Sequence, residues 1–136
     1  MSTARIRNLS IAIALVVLAA TTMTLWAFVG RAETRELTLY ARDMAFFAPG
    51  SVQRNPVLQV FAGERVRLTV INDEPGMRHD LAVAALGLII PPLDTTPGSR
   101  GTALLTVPAR PGRYTYVCSL HSALMRGVLE VLPGQR

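Results

Sequence analysis

Turn-forming residue pairs cut the last hundred or so positions of this chain into pieces too short for packed helices. Pro49-Gly50, Ala62-Gly63, Glu74-Pro75-Gly76, Pro97-Gly98 and Pro111-Gly112 all fall between apolar runs, where proline and glycine favour tight turns and stop regular elements. The runs themselves, 36–47, 57–62, 65–72, 80–85, 102–107, 112–118 and 127–132, alternate apolar with polar positions and show no helical period. In the clearest of them Val66, Leu68 and Val70 share one face while Arg65, Arg67 and Thr69 share the other, as in a half-buried strand. Seven short strands in about 100 residues predict an all-β fold, an antiparallel sandwich of two sheets. An immunoglobulin-like module is its plainest version. Residues 86–101 are the least regular stretch, and the apolar Leu86-Gly87-Leu88-Ile89-Ile90-Pro91-Pro92 within them reads as a covering loop or an exposed docking patch.

The N-terminus obeys a different rule. Residues 8–30 carry no charge, with Arg5 and Arg7 before them and Arg31 after. As a helix this segment extends roughly 34 Å, enough to cross a hydrocarbon core of about 30 Å. It is longer than the apolar part of a signal peptide and lacks a good small-residue cleavage pattern, so it reads as one uncleaved transmembrane helix. A removed signal peptide, leaving a secreted or periplasmic protein, is the alternative. The expected organisation is therefore an anchor at 1–30, a linker at 31–36 and a folded domain at 37–136. The short arginine-bearing N-terminus stays in the cytoplasm in this reading, which sends the domain to the other side of the cell membrane. A linker this short keeps the domain within a few tens of ångströms of the surface, so its partners are expected to be membrane-bound or periplasmic.

Chemistry is concentrated in few residues. The chain has 2 histidines and 1 cysteine, which excludes an intrachain disulfide and any four-cysteine zinc or iron-sulfur site. Its 14 basic residues are all arginine and face 9 acidic ones, but no basic run interleaved with aromatics suggests nucleic acid. Taken singly, Cys118 reads as a core thiol as readily as a ligand, His121 as an ordinary loop histidine and Met125 as core filler. Together they change the reading. Cys118 closes the run Tyr114-Thr115-Tyr116-Val117-Cys118, two residues separate it from His121, and three more separate His121 from Met125. A strand end followed by so short a turn can wrap one ion. His79, just after the Glu74-Pro75-Gly76 turn and so at a sandwich end, supplies the remaining imidazole from elsewhere in the fold. Two histidines, a cysteine and a weak methionine are the ligands of blue-copper electron-transfer centres.

The stretch Pro111-Gly112-Arg113-Tyr114-Thr115-Tyr116-Val117-Cys118-Ser119-Leu120-His121 resembles the cupredoxin family, the small type 1 copper proteins, with the Cys-to-His gap of its plastocyanin branch. His121-Ser122-Ala123-Leu124-Met125-Arg126-Gly127 is similar to the azurin-like ending. The resemblance covers about residues 37–132 and implies a Greek-key β-sandwich holding one copper ion, Cu(II)/Cu(I), by His79, Cys118, His121 and Met125. Met77, two residues before His79, is a rival axial group. Where the family commonly has Asn after its first histidine, tying the two ligand loops together, this chain has Asp80, which accepts but cannot donate when ionised; Asp80 and Ser119 are expected beside the ligands, with the tie between the loops looser or differently wired. The resemblance also makes His121 the electron port, with Leu120, Ala123 and Leu124 as its docking patch, enlarged by Leu88 to Pro92.

These features predict a membrane-anchored one-electron carrier working outside the cytoplasmic membrane with redox partner proteins. It has no small-molecule substrate, and it is not an enzyme, since copper enzymes of this fold need further histidines. A copper delivery or storage protein is the alternative.

Overall fold

A computed structural model of the chain describes residues 33–134. The expected anchor at 1–30 lies outside them. Among the described residues no helix is long and apolar enough to cross a membrane. Within the described residues nine strands form two sheets: β1 (Thr34–Arg42), β2 (Ala45–Phe47), β3 (Val57–Phe61), β4 (Arg65–Asn72), β5 (Leu81–Val83), β6 (Leu88–Ile90), β7 (Arg100–Thr106), β8 (Gly112–Val117) and β9 (Arg126–Leu132). One sheet runs β2-β1-β4-β7 and the other β3-β9-β8-β5-β6.

Alternation along β4 is as expected, with Val66, Leu68 and Val70 buried and Arg65 and Arg67 exposed. These side chains join Leu39, Phe46, Val60, Leu81, Ile90, Tyr116, Leu129 and Val131 in one core between the sheets. Each fully buried aliphatic chain there contributes about 1.5–3 kcal/mol. The core also reaches Cys118 and Met125, so hydrophobic packing extends to the end of the sandwich where the chemistry-bearing residues lie.

Four features differ from the sequence expectation. The run 36–47 is two strands, because Asp43 and Met44 both take left-handed backbone, φ 49° and 54°, and turn β1 back onto β2 with Arg42 opposite Ala45. Two left-handed residues match the twist of a tight hairpin. The first strand begins at Thr34, so half of the expected linker 31–36 is sheet, paired with Arg65 to Arg67. The sandwich is not antiparallel throughout: β1 runs parallel to β4 and β3 parallel to β9, and strand alternation is the same in either direction. Finally, the supposed covering loop contains β6, whose Leu88 and Ile90 are core while Ile89 faces out.

β1 and β4 run side by side from Thr34 opposite Arg65 to Ala41 opposite Asn72. The domain's N-terminal entry is therefore at one pole, and the loop that follows β4 is at the other. β8 leads to that second pole and ends beside Cys118. Tyr116, fully buried on β8, donates from its hydroxyl to the Pro56 carbonyl at 2.6 Å, and burial raises its phenol far above the usual value. Gly127 lies opposite it on β9, and a Cβ there would collide with the Tyr116 ring. Tyr116→Phe is expected to cost roughly 1–3 kcal/mol, since the Pro56 carbonyl loses its donor in the interior. A lower urea midpoint at unchanged slope is the predicted result.

Candidate metal centre

Two loops at the second pole carry the ligand residues. The first follows β4 and is held by Asn72, fully buried, whose side chain donates to the carbonyls of Met77 at 2.8 Å and Asp94 at 2.7 Å and accepts from the Glu74 amide at 3.1 Å. The His79 carbonyl accepts from the Leu93 amide at 2.8 Å, which pins the histidine itself just before β5. The second loop runs from β8 to β9. Its ends are closed by the Cys118 amide on the Met125 carbonyl at 2.9 Å, and by the Met125 amide on the His121 carbonyl at 2.9 Å. A third segment braces it, as the Asn55 amide nitrogen donates to the Leu124 carbonyl at 2.9 Å. Asn72 and Asn55 gave no sign of these roles in the sequence, because both act across long separations.

His79, Cys118 and His121 converge as the sequence predicts, with one ligand atom from each within 4.8 Å of the others. The Cys118 Sγ lies 3.5 Å from His121 Nδ1 and 4.0 Å from His79 Nδ1. An ion holding one sulfur at about 2.3 Å and a nitrogen at about 2.0–2.1 Å, with bonds about 120° apart, separates those atoms by about 3.8 Å. The residues fit a trigonal metal. Cys118 and His79 are fully buried, and His121 is half-buried. Met125 is fully buried in the core directly after this loop, whereas Met77 is half-buried and outside the core cluster.

Electrostatics at the pole keep Cys118 and His79 uncharged in the metal-free fold. Burial pushes the Cys118 thiol up, opposed by the Asp80 and Leu120 amides directed at the sulfur; metal uptake must therefore displace its proton. Burial also lowers His79, against the opposing influence of Glu74, which keeps the imidazole neutral as a ligand must be. Its Nε2 is 3.0 Å from Glu74 Oε2. Asp80, buried, accepts from the Ser119 amide at 2.5 Å and from the Ser119 hydroxyl, so the segments that carry His79 and Cys118 are tied through its acceptors alone.

Around His121, the expected surface residues Leu120 and Leu124 are 50% and 58% exposed, and Ala123 is exposed beside them. The expected enlargement by Leu88 to Pro92 is smaller than its sequence suggests: Leu88 and Ile90 face the core, leaving Ile89, Pro91 and Pro92 outside.

No protein-family model matches the chain, and no curated protein matches it. Solved structures do. Rusticyanin is 26% identical, with 76% of this chain and 80% of that one covered at a TM-score of 0.53. The described domain has a cupredoxin-like fold. Auracyanin A, a "blue" copper protein of Chloroflexus aurantiacus, shares the fold at 20% identity over 74% of this chain and 100% of that one, TM-score 0.54. Copper nitrite reductase from Nitrosomonas europaea is 27% identical over 74% of the chain, TM-score 0.57, but this chain spans only 42% of that enzyme. Cupredoxins are mostly electron-transfer proteins, and the reductase places a related fold within an enzyme. In this chain His79, Cys118 and His121 form a candidate copper site.

Proposed function

We propose that this protein is a membrane-anchored type 1 copper protein that carries one electron at a time outside the cytoplasmic membrane. The observation that carries the reading is the convergence of one sulfur and two imidazole nitrogens at a single buried point, built from two hydrogen-bonded loops. Copper bound there supplies a Cu(II)/Cu(I) couple. His79, Cys118 and His121 are the equatorial ligands in this proposal, and Met125 is the axial one. Asp80 and Ser119 hold the ligand loops in register, so little protein rearranges when the charge on the metal changes. His121 is the ligand closest to solvent, and Leu120, Ala123 and Leu124 around it provide the apolar surface on which a redox partner docks.

The uncharged segment 8–30, ending three residues before Glu33 leads into β1, supports an anchor on the cell membrane. Membrane-bound or periplasmic proteins are then the partners within reach. No small-molecule pocket is part of this proposal.

Loading the full-length chain in detergent with Cu(II) tests it. An intense visible absorption, an EPR signal from one Cu(II) per chain and a reversible one-electron couple are expected, together with loss of membrane retention when residues 1–30 are deleted. A colourless protein that binds only Cu(I) points instead to copper delivery or storage, and no stoichiometric copper overturns both.

A further inference from the structure

Glu74 is the one acidic side chain in direct contact with an imidazole of the site. It belongs to the turn Glu74-Pro75-Gly76, and the sequence pattern alone marks it only as a turn residue. In the fold, its Oε2 lies 3.0 Å from His79 Nε2 and 3.3 Å from the Met44 amide, while its own amide is held by Asn72 Oδ1 at 3.1 Å. The carboxylate thus meets the Met44 amide of the left-handed β1–β2 turn, while the buried Asn72 holds the backbone that carries it. Its side chain is only 22% exposed, against 0% for His79. Among the described residues no arginine forms an ion pair with it: Arg42 pairs with the neighbouring Asp73, at 3.9 Å.

Two consequences follow from the chemistry of the pair. A carboxylate only accepts hydrogen bonds, so Nε2 carries the proton of the neutral ring and the lone pair is left on Nδ1, the atom that faces Cys118. A partner on the far nitrogen of a ligand histidine fixes its tautomer and raises its basicity. Charge adds to this. With the Cys118 thiolate and Asp80, which bonds Ser119 directly beside Cys118, Glu74 brings the negative groups around the ligands to three, against two positive charges on Cu(II) and one on Cu(I). A poorly solvated excess of negative charge resists the arrival of a further electron.

We propose that Glu74 is a positioning residue of the copper site that holds His79 with Nδ1 toward the metal and, by its charge, stabilises Cu(II) over Cu(I), setting a low reduction potential and thereby fitting this carrier to low-potential partners. The potential rests on the copper-carrier reading, whereas the tautomer is a property of the metal-free fold.

The experiment uses the full-length chain in detergent micelles with two readouts. In metal-free, unsubstituted protein, long-range 15N–1H correlation of its two imidazoles is expected to show His79 protonated on Nε2; an Nδ1–H tautomer overturns the proposal. In copper-loaded protein, Glu74→Gln keeps an acceptor for Nε2 and removes the charge. It is expected to leave the visible band in place and to shift the Cu(II)/Cu(I) equilibrium at least tenfold toward Cu(I), about 59 mV for a one-electron couple. An unchanged or lowered potential overturns the proposal. Should the glutamine variant not fold, the tautomer of the unsubstituted protein decides. Unsubstituted protein that takes up no copper sinks the carrier reading and the potential with it, and leaves the tautomer to be judged by the first readout.

Discussion

Cys118→Ser is expected to abolish the visible absorption of the copper-loaded protein. The sulfur is fully buried and lies 3.5 and 4.0 Å from the two imidazole Nδ1 atoms, so it is the only soft anionic donor the ion can meet. A serine hydroxyl in its place stays protonated at neutral pH and cannot supply thiolate-to-copper charge transfer. Affinity falls with it, by more than the roughly 10–100-fold that loss of an outer-shell partner costs. Folding does not, because the backbone bond from position 118 to the Met125 carbonyl is independent of the side chain and serine is nearly isosteric. Visible spectra, chelator competition and urea unfolding of the metal-free variant separate the three quantities. A serine variant that kept the band would remove Cys118 from the ligand set.

Asp80→Ala has the second largest expected effect, and it acts without touching the metal. Asp80 leads into β5 and takes the Ser119 amide and hydroxyl just past β8, so it is the direct side-chain clasp between the loops that carry His79 and Cys118. Removing it frees those loops to drift apart. Copper affinity should fall by about 10–100-fold, and the metal-free domain should lose about 1 kcal/mol, near the low end for a lost partner because Ser119 is exposed to water. Asp80→Asn is the informative companion. Its amide can accept from the Ser119 N–H and donate to the hydroxyl oxygen, so affinity is expected near that of the unsubstituted chain. Alanine and asparagine variants that bind copper equally well would show that the clasp is dispensable.

Local pattern carried much of this structure. The alternation of Val66, Leu68 and Val70, the breakers at each turn and the eight residues from Cys118 to Met125 are short-range features, and each could be read without knowing what lay opposite. The sheet directions could not: a strand's period is two whether its neighbour runs with it or against it, so the parallel pairs β1·β4 and β3·β9 were hidden. β6 was obscured for a different reason, since three apolar residues before Pro91-Pro92 resemble a loop until Leu81 is seen opposite Ile90. The Asp43-Met44 turn lacks the Asn-Gly signature of a tight hairpin. Three ligands announced themselves by scarcity, and Asp80 by its departure from a family pattern. Glu74, Asn72 and Asn55 did not, because nothing in a glutamate or an asparagine foretells which buried group it will meet several strands away.

The parallel pairing of β1 with β4 settles where the chain enters the domain: Thr34 lies beside Arg65, at the pole opposite His79, Cys118 and His121. In the proposed carrier, chain entry and electron exchange therefore lie at different ends of the same sandwich. A fused domain or an electrode-binding thiol added at Thr34 would therefore be joined at the pole away from the candidate ligand loops. Under the proposed function the domain is thus an interchangeable redox head, in which the tether and the copper chemistry are open to independent redesign.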